Sequence, residues 1–348
     1  MSNKIKQQQR KILYFLGAGA SYAAGATATV QRGGQIRIPT QARFWDTFLR
    51  FCSKHNEGVI SSLLFRYFKN YKRVPARLTP GKRREALDGI DVEEVFTFLS
   101  ERIRAPGTSV SLRTFAEKVW TALVSEMGPV FARFEANANT RAIYRALAKN
   151  QLRSRDTVVS FNYDTVFENS LPAKKRWHYE GINTRPHSLR ILKPHGSSNW
   201  ETDDDDGGIV IAKVPRRAII VAPTHLKFIG SRYADAPRET VDTAGYLDQS
   251  TQIAEIWETM EKEMRLAKAL VFIGYSFPIS DLYFSSLLRS VLATRDAPQI
   301  ILVNPDARAI QQRLHDRFAL ESVVPYFDLE SFAFVDRAET LQRIEAFE

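Results

Sequence analysis

The sequence contains very little cysteine and no long apolar run. Cys52 is the only cysteine among 348 residues, which excludes an intramolecular disulfide and any cysteine-rich zinc module. No stretch approaches the ~20 apolar residues that a membrane-spanning helix requires. The apolar run after the basic N-terminus ends in glycines rather than in the small-residue cleavage site of a secretory signal. These features predict a cytoplasmic protein that does not enter a membrane.

Acidic residues are outnumbered by basic ones. Lys and Arg total 49 against 39 Asp and Glu, which gives a net charge of +10. Such a balance suits nucleic acid or phosphate-bearing ligands as partners. The basic residues are nevertheless spread along the chain, with only short clusters such as 82–84. Nucleic-acid binding therefore stands as one alternative beside scattered surface charge.

Apolar runs that alternate with helix-like stretches indicate the fold class. Six short runs are apolar on both faces, as buried parallel strands are: 11–16, 157–161, 190–194, 218–223, 269–274 and 299–304. Helical spacing appears at 245–268, 279–294 and 306–318. This alternation predicts an α/β protein with a Rossmann-like parallel sheet flanked by helices.

The region 41–150 has a different pattern, because apolar residues recur there at helical spacing and no convincing strand interrupts them. We predict an all-helical inserted subdomain at 41–150, with a polar loop at 69–90 inside it. The Rossmann-like domain is then discontinuous and consists of 1–40 and 151–348. The acidic run 203–206, followed by two glycines, is interpreted as a solvated hairpin tip rather than a metal site.

The first predicted strand runs into the glycine-rich segment Gly17-Ala18-Gly19-Ala20-Ser21. Glycines at this place let a backbone approach a pyrophosphate, and the N–H groups of the following helix can bind it. The dehydrogenase fingerprint G-x-G-x-x-G fails, since position 22 is Tyr, and the first later carboxylate is Asp46. The loop therefore predicts dinucleotide binding without hydride transfer, or only a tight turn.

Polar residues also follow the other predicted strands. Asn162 and Asp164 come after the second run; they could reach a ligand, or they could cap a helix. His195 lies in the run Lys193–Trp200 after the third and has the side chain best suited to proton transfer near neutral pH. Gly274 and Ser276, with Asp281 at a helix start, and Asn304 follow the last two strands. Each of these signals alone is weak.

In combination, the motifs resemble a known family. The order GAGAS, NYD, HG, GYS and VN, each at a strand end, resembles that of the sirtuin family. It is more similar still to the bacterial sirtuin-like NADases of antiphage defence, in which HGS-NW and GYSF…D recur. The motifs span residues 17–306, so the resemblance covers the Rossmann-like part and not the helical insertion.

The resemblance implies a role for each matching residue. Gly17, Ala18, Gly19 and Ser21 would line the phosphates of NAD+. Asn162 and Asp164 would face the nicotinamide ribose and the nicotinamide pocket, and His195 would be the catalytic histidine. The remaining cofactor-binding residues would be Gly274 and Ser276 on the phosphate–ribose segment and Asn304 on the adenosine side.

One departure from the family decides the expected reaction. Protein-deacylating sirtuins carry a four-cysteine zinc module after the HG motif, and this region of the chain has no cysteine. No zinc is therefore expected, and the acyl-lysine groove becomes doubtful. The resemblance then implies a NAD+ glycohydrolase that yields ADP-ribose and nicotinamide. The alternatives are an NAD-dependent protein deacylase and a nucleotide-binding assembly module without catalysis.

The resemblance also implies a biological setting. An unregulated NADase would kill its host, so assembly or a partner is expected to control it. The implied role is a cell-suicide effector that depletes NAD+ in antiphage defence. A homo-oligomer and a HerA-like ATPase translocase are the expected partners, by family analogy alone.

Overall fold

The structure is a computed structural model that describes residues 11–30, 33–69, 79–203, 207–222, 244–279, 281–294, 296–320 and 323–346. Its strands, in chain order, are β1 (Ile12–Leu16), β2 (Thr27–Thr29), β3 (Gln35–Arg37), β4 (Thr157–Ser160), β5 (Trp177–Tyr179), β6 (Leu189–Leu192), β7 (Gly196–Ser197), β8 (Trp200–Thr202), β9 (Ile209–Ile211), β10 (Ile219–Ile220), β11 (Ala269–Ile273), β12 (Gln299–Val303) and β13 (Val324–Tyr326).

The helices of the described residues, in the same order, are α1 (Ala18–Ala23), α2 (Phe44–Phe51), α3 (Lys54–Tyr67), α4 (Pro80–Glu85), α5 (Val92–Arg104), α6 (Val110–Phe131), α7 (Ala138–Asn150), α8 (Val166–Ser170), α9 (Ala244–Leu266), α10 (Leu282–Leu292), α11 (Ala307–Phe318), α12 (Leu329–Phe334) and α13 (Arg337–Glu345). A 3-10 turn at Gln41–Arg43 precedes α2.

Seven strands form one parallel sheet in the order β13-β12-β11-β1-β4-β6-β5. Every residue of the central strands β1 and β11 is buried, as expected where helices cover both faces of a sheet. The predicted fold class, a Rossmann-like parallel sheet flanked by helices, is confirmed.

The sheet extends from β1 to both sides. The chain first builds β4, β5 and β6 on one side, then returns to place β11, β12 and β13 on the other. The strand order therefore reverses between β1 and β11. In open α/β sheets, ligands bind outside the carboxyl ends of the strands at such a reversal. This topology places the loops after β1, β4, β6 and β11 around one candidate site.

One predicted strand of the sheet is wrong. Residues 218–223 were expected to form a buried parallel strand, but Ile219–Ile220 pairs antiparallel with Gly196–Ser197 outside the main sheet. The apolar pattern of a covering ribbon is the same as that of a buried strand, because both exclude water. The edge strands β5 and β13 lack a sequence signal, since each has only three residues and β13 contains Pro325.

The described residues of the region predicted to be helical, 41–150, form helices joined by turns and contain no strand. Together with the β2–β3 hairpin, this region connects the neighbouring strands β1 and β4. The predicted loop 69–90 is only partly correct, since residues 80–85 form α4 with Thr79 as N-cap; residues 70–78 lie outside the described residues. Helix α7 is tied to the C-terminal region, because Asn150 Nδ2 donates to Ala333 O (2.9 Å). The division into 1–40 with 151–348 and 41–150 stays a prediction.

The structure contains the two strands on either side of the acidic run, where a hairpin was predicted. Strands β8 and β9 pair antiparallel, and the Asp203 amide donates to Gly208 O (2.8 Å). Residues 204–206, which hold the rest of the acidic run, lie outside the described residues.

A buried ion pair joins the last helix to the sheet. Arg337 begins α13 and binds Asp156, which directly precedes β4, through two bonds of 2.5 and 3.0 Å. The same guanidinium donates to Gln151 O (2.7 Å) and to Tyr14 Oη (3.2 Å) on β1. The Asp156 side chain is fully buried, and the Arg153 amide donates to the same carboxylate (2.7 Å).

We expect Arg337→Met to lower the free energy of unfolding by about 3–5 kcal/mol, because it leaves a buried carboxylate without its cation. The matched control is Arg343→Met on the same helix, which breaks an exposed pair with Glu339 and should cost less than about 1 kcal/mol. Urea unfolding measures both. Equal losses in the two variants would contradict the importance of the buried pair.

Candidate active site

The loops after β1 and β11 meet at the strand-order reversal through glycine backbones. The Gly17 amide donates to Ile273 O (2.9 Å) and the Gly19 amide to Gly274 O (3.0 Å). A Cβ added to Gly17 or Gly19 would lie 2.7 Å from Gly274 O. Gly274 itself has φ of +61° and faces the Ala20 amide nitrogen. The contact between the two loops thus explains why glycine is needed, before any ligand is considered.

This packing also uses backbone N–H groups that were expected to bind phosphate. The amides of Gly17 and Gly19 are bonded across the loop, and the Ala20 amide donates to Gly17 O (2.9 Å). The structure places Gly17, Ala18, Gly19 and Ser21 at the expected strand end. Their role in phosphate binding stays a prediction.

Asn162 links the loop after β4 to the glycine loop. Its Nδ2 donates to Gly17 O (3.1 Å) and to Ser21 Oγ (3.2 Å). Only the nitrogen of an amide can donate to a carbonyl, so these contacts determine which way the side chain faces. The amide oxygen, Oδ1, is left as the acceptor that Asn162 can offer to another group.

Asp164 lies in the same polar cluster and is almost fully buried. Its Oδ1 accepts hydrogen bonds from Ser21 Oγ (3.2 Å) and from the Val166 amide (2.9 Å) at the start of α8. Asp164 therefore contacts the first amide of α8, although the N-cap residue is Thr165 and makes no side-chain capping bond. Burial raises the pKa of Asp164 to about 6, although the Lys193 ammonium and the Val166 amide act to lower it.

His195 lies on the neighbouring loop, after β6, in an aromatic enclosure. Its ring centroid is 5.0 Å from that of Phe161, the residue before Asn162, and 6.0 Å from that of Trp257. Its carbonyl accepts from the Val221 amide (2.9 Å). Gly196, with φ of +79°, packs directly against Ile219 O, which lets the β7–β10 ribbon close over the histidine backbone.

Other predicted residues are further along the edge. The Ser276 side chain is exposed, and its carbonyl accepts from Arg313 Nη2 (2.9 Å). Asn304 Oδ1 accepts from the Asp306 amide (3.0 Å) just before α11. Asp281 caps α10 as expected, by accepting from the Phe284 amide (3.3 Å). No hydrogen bond among the described residues joins Ser276 or Asn304 to Asn162 or His195.

A buried ion pair beside the site was not predicted from sequence. Lys193 Nζ donates to Glu168 Oε1 (3.0 Å) and to Asp164 O (2.6 Å). Tyr179 Oη of β5 donates to the same Glu168 oxygen (3.3 Å). Lys193 belongs to the histidine motif Lys193–Trp200, but nothing in the spacing marked Glu168 as its partner, because Glu168 lies in α8, after a different strand.

Among the described residues, no group of three or more His, Cys, Asp or Glu side chains is placed to hold a metal ion. That the protein binds no zinc stays a prediction. Within the described ranges, every helix is too short or too polar to cross a membrane.

Comparison with known proteins gives one family match. Residues 156–324, a little under half of the chain, match the SIR2-like domain, which supports a sirtuin-like family. The matched range contains all the predicted site residues from Asn162 to Asn304 and leaves out the glycine loop after β1. No curated protein matches the chain.

A solved structure described as the structural basis for the mechanism and regulation of Sir2 enzymes is also similar. The identity is 13%, the similarity covers 99% of this chain and 100% of that one, and the TM-score is 0.36. This similarity is too low to support the fold assignment, which rests on the topology of the chain's own sheet.

We expect Gly274→Ala to destabilise the protein by about 3 kcal/mol or more, because the new Cβ meets the Ala20 backbone in addition to the cost of a positive φ. Gly89→Ala is the matched control: its φ is +83°, but nothing lies within 4 Å of the added Cβ, so about 1–2 kcal/mol is expected. Urea unfolding compares them, and similar losses would argue against the close backbone contact.

A second prediction concerns pH. Because the native pKa of Asp164, about 6, exceeds the ordinary aspartate pKa of 3.8, the native state binds more protons than the unfolded state between these values. Stability from this group is therefore full below about pH 4 and lost as pH rises to about 6, on the order of 3 kcal/mol. Asp164→Asn keeps the side-chain shape and should remove this component, leaving a flatter stability profile over pH 4–6. Identical profiles would contradict the raised pKa.

Proposed function

We propose that the protein is a NAD+ hydrolase that cleaves the nicotinamide–ribose bond and releases ADP-ribose and nicotinamide. The observation that carries the proposal is the placement of Asn162 and His195 on neighbouring strand-end loops, inside the segment that matches the SIR2-like domain. This placement lies beside the strand-order reversal, where open α/β sheets bind ligands.

The reaction makes limited demands on the protein. Nicotinamide leaves as a neutral ring, so no general acid is required. The site must stabilise an oxocarbenium-like ribose and direct water to it. Asn162 Oδ1, oriented by the bonds that its Nδ2 makes to Gly17 and Ser21, is suited to accept a hydrogen bond from a ribose hydroxyl or from that water.

His195 supplies the proton acceptor in this proposal. A neutral imidazole takes a proton from a ribose hydroxyl or from water as the new bond forms. The apolar rings around it, Phe161 and Trp257, exclude water, and fixed dipoles in such surroundings act more strongly on developing charge. The Asp164 carboxylate would accept a hydrogen bond from the nicotinamide carboxamide.

The remaining contacts to NAD+ are proposed from the strand-end positions. Gly17, Ala18, Gly19 and Ser21 would contact the phosphates, Gly274 and Ser276 the phosphate–ribose segment, and Asn304 the adenosine. Asn162, Asp164 and His195 are each less than a tenth exposed.

We further propose that the activity serves as a cell-suicide response in antiphage defence. A NADase must be controlled, so assembly into a homo-oligomer or binding of a HerA-like ATPase translocase would switch it on. With no acyl-lysine whose carbonyl oxygen attacks the ribose, water would be the nucleophile in the site. The net charge of +10 leaves nucleic acid open as a further partner, which salt-dependent DNA binding would reveal.

The test is NAD+ consumption by the purified chain, alone and with the product of its neighbouring gene, followed by chromatography of the products. Asn162→Ala and His195→Ala should each reduce turnover by about 10²-fold or more, in chains that circular dichroism shows to be folded. The matched controls are Asn169→Ala and His315→Ala, whose side chains are exposed.

Retained NAD+ cleavage in both site variants would contradict the assignment of these residues. Consumption that requires an acylated peptide, with formation of O-acyl-ADP-ribose, would identify a deacylase instead. Binding of NAD+ without turnover in every assembly state would identify a nucleotide-binding module.

A further inference from the structure

Lys193 is enclosed completely by the protein. It follows β6 directly, and its side chain has no exposed surface. Burying an ammonium costs several kcal/mol unless hydrogen bonds and an opposite charge compensate. Two contacts do so here: Nζ donates to the Asp164 carbonyl (2.6 Å) and to Glu168 Oε1 (3.0 Å).

These partners connect the segments that carry the two proposed catalytic residues. Lys193 is two residues before His195, and Asp164 is two residues after Asn162. Its ammonium thus joins the loop after β4 to the loop after β6. The Ser198 amide makes a second link between the same loops, to Tyr163 O (2.8 Å).

A buried ion pair does not by itself show a contribution to stability, because a protein in which apolar residues of equal volume replace the pair is often equally stable. What apolar residues would not provide is a positive charge next to the Asp164 carboxylate. That charge opposes the burial that raises the pKa of Asp164. The Lys193–Glu168 pair is therefore expected to influence chemistry in the site as well as packing.

The groups that face Asp164 come from four elements. Lys193 after β6 attracts its charge, the Val166 amide of α8 and the Ser21 hydroxyl of α1 donate to it, and Glu168 of α8 repels it. Tyr144 of α7 is also nearby; burial raises its pKa, and both carboxylates add to that increase. Glu168 Oε2 is buried without a hydrogen-bond partner among the described residues, so that carboxylate relies on Lys193 and Tyr179.

We propose that Lys193 is a positioning residue: its ammonium clamps the Asn162 loop against the His195 loop and holds a positive charge beside Asp164. The proposal rests on the proposed function for its catalytic meaning. The effect of the Lys193 charge on Asp164 does not require NAD+, so it can be measured in the ligand-free chain.

The experiment is a carbon-13 NMR titration of aspartate carboxyls in the ligand-free full-length chain, with Asp164 assigned by its absence in Asp164→Asn. The wild-type midpoint is expected near pH 6. Lys193→Met should raise it by about one pH unit or more, because the cation that favours the charged form is removed. Glu168→Gln should lower it, because the repelling carboxylate is removed.

The matched control is Lys175→Met. Lys175 Nζ also donates to two backbone carbonyls, those of Ala148 and Leu152, but neither belongs to the site. This variant should leave the Asp164 midpoint unchanged. The Ser198 amide should lose hydrogen-exchange protection in Lys193→Met and keep it in Lys175→Met, which tests the clamp between the loops.

Opposite shifts of the Asp164 midpoint in Lys193→Met and Glu168→Gln would support the proposal, together with shifts of the acid limb of the kcat/KM profile for NAD+ in the same two directions. An unchanged midpoint in Lys193→Met, or shifts of the same sign in both variants, would overturn it. If Lys193→Met does not fold, Glu168→Gln and the double variant Lys193→Met/Glu168→Gln decide: the midpoint must fall in the first and lie above that value in the second. Opposite shifts in a chain that never cleaves NAD+ would overturn only the proposed function.

Discussion

The centre of the molecule depends on one close backbone contact, between the loop after β1 and the loop after β11. The amides of Gly17 and Gly19 extend the pairing of these strands to Ile273 O and Gly274 O, and side chains larger than hydrogen would separate them. This contact holds the carboxyl ends of β1 and β11 together at the strand-order reversal. It also positions the Gly17 carbonyl, to which Asn162 donates, so the geometry of the proposed site starts from a constraint on packing.

From that carbonyl, a chain of polar contacts crosses the carboxyl ends of the strands. It runs from Asn162 and Ser21 to Asp164, continues through Lys193 to Glu168, and ends at Tyr179 on the edge strand β5. Buried polar groups require partners, and here each loop supplies partners to the next. Interlocking of this kind holds reactive groups in a fixed arrangement before substrate arrives, which is the condition for electrostatic stabilisation in an enzyme.

The same strand ends show why single motifs are ambiguous. Asp164, Asp281 and Asn304 all accept hydrogen bonds from backbone amides at or near helix starts, so local structure alone accounts for an acidic or amide residue after a strand. Asn162 and Asp164 also make contacts 141–145 positions away in sequence, to Gly17 and Ser21. Long-range contacts of this kind distinguish a residue that helps to assemble a site from one that caps the next helix.

The sequence by itself determined the parallel sheet, the helical segment between β1 and β4, and the strand ends that carry Asn162, His195 and Gly274, because buried strands and amphipathic helices leave periodic apolar patterns. It could not separate the ribbon strand β10 from a sheet strand, since both are apolar, and it gave no sign of the short edge strands β5 and β13. Only the tertiary structure decided that Lys193 meets Glu168 and Asp164, and that Gly17 and Gly19 meet Gly274. These contacts join residues from separate crossovers of the sheet, and local spacing in a chain carries no information about which distant loops come together.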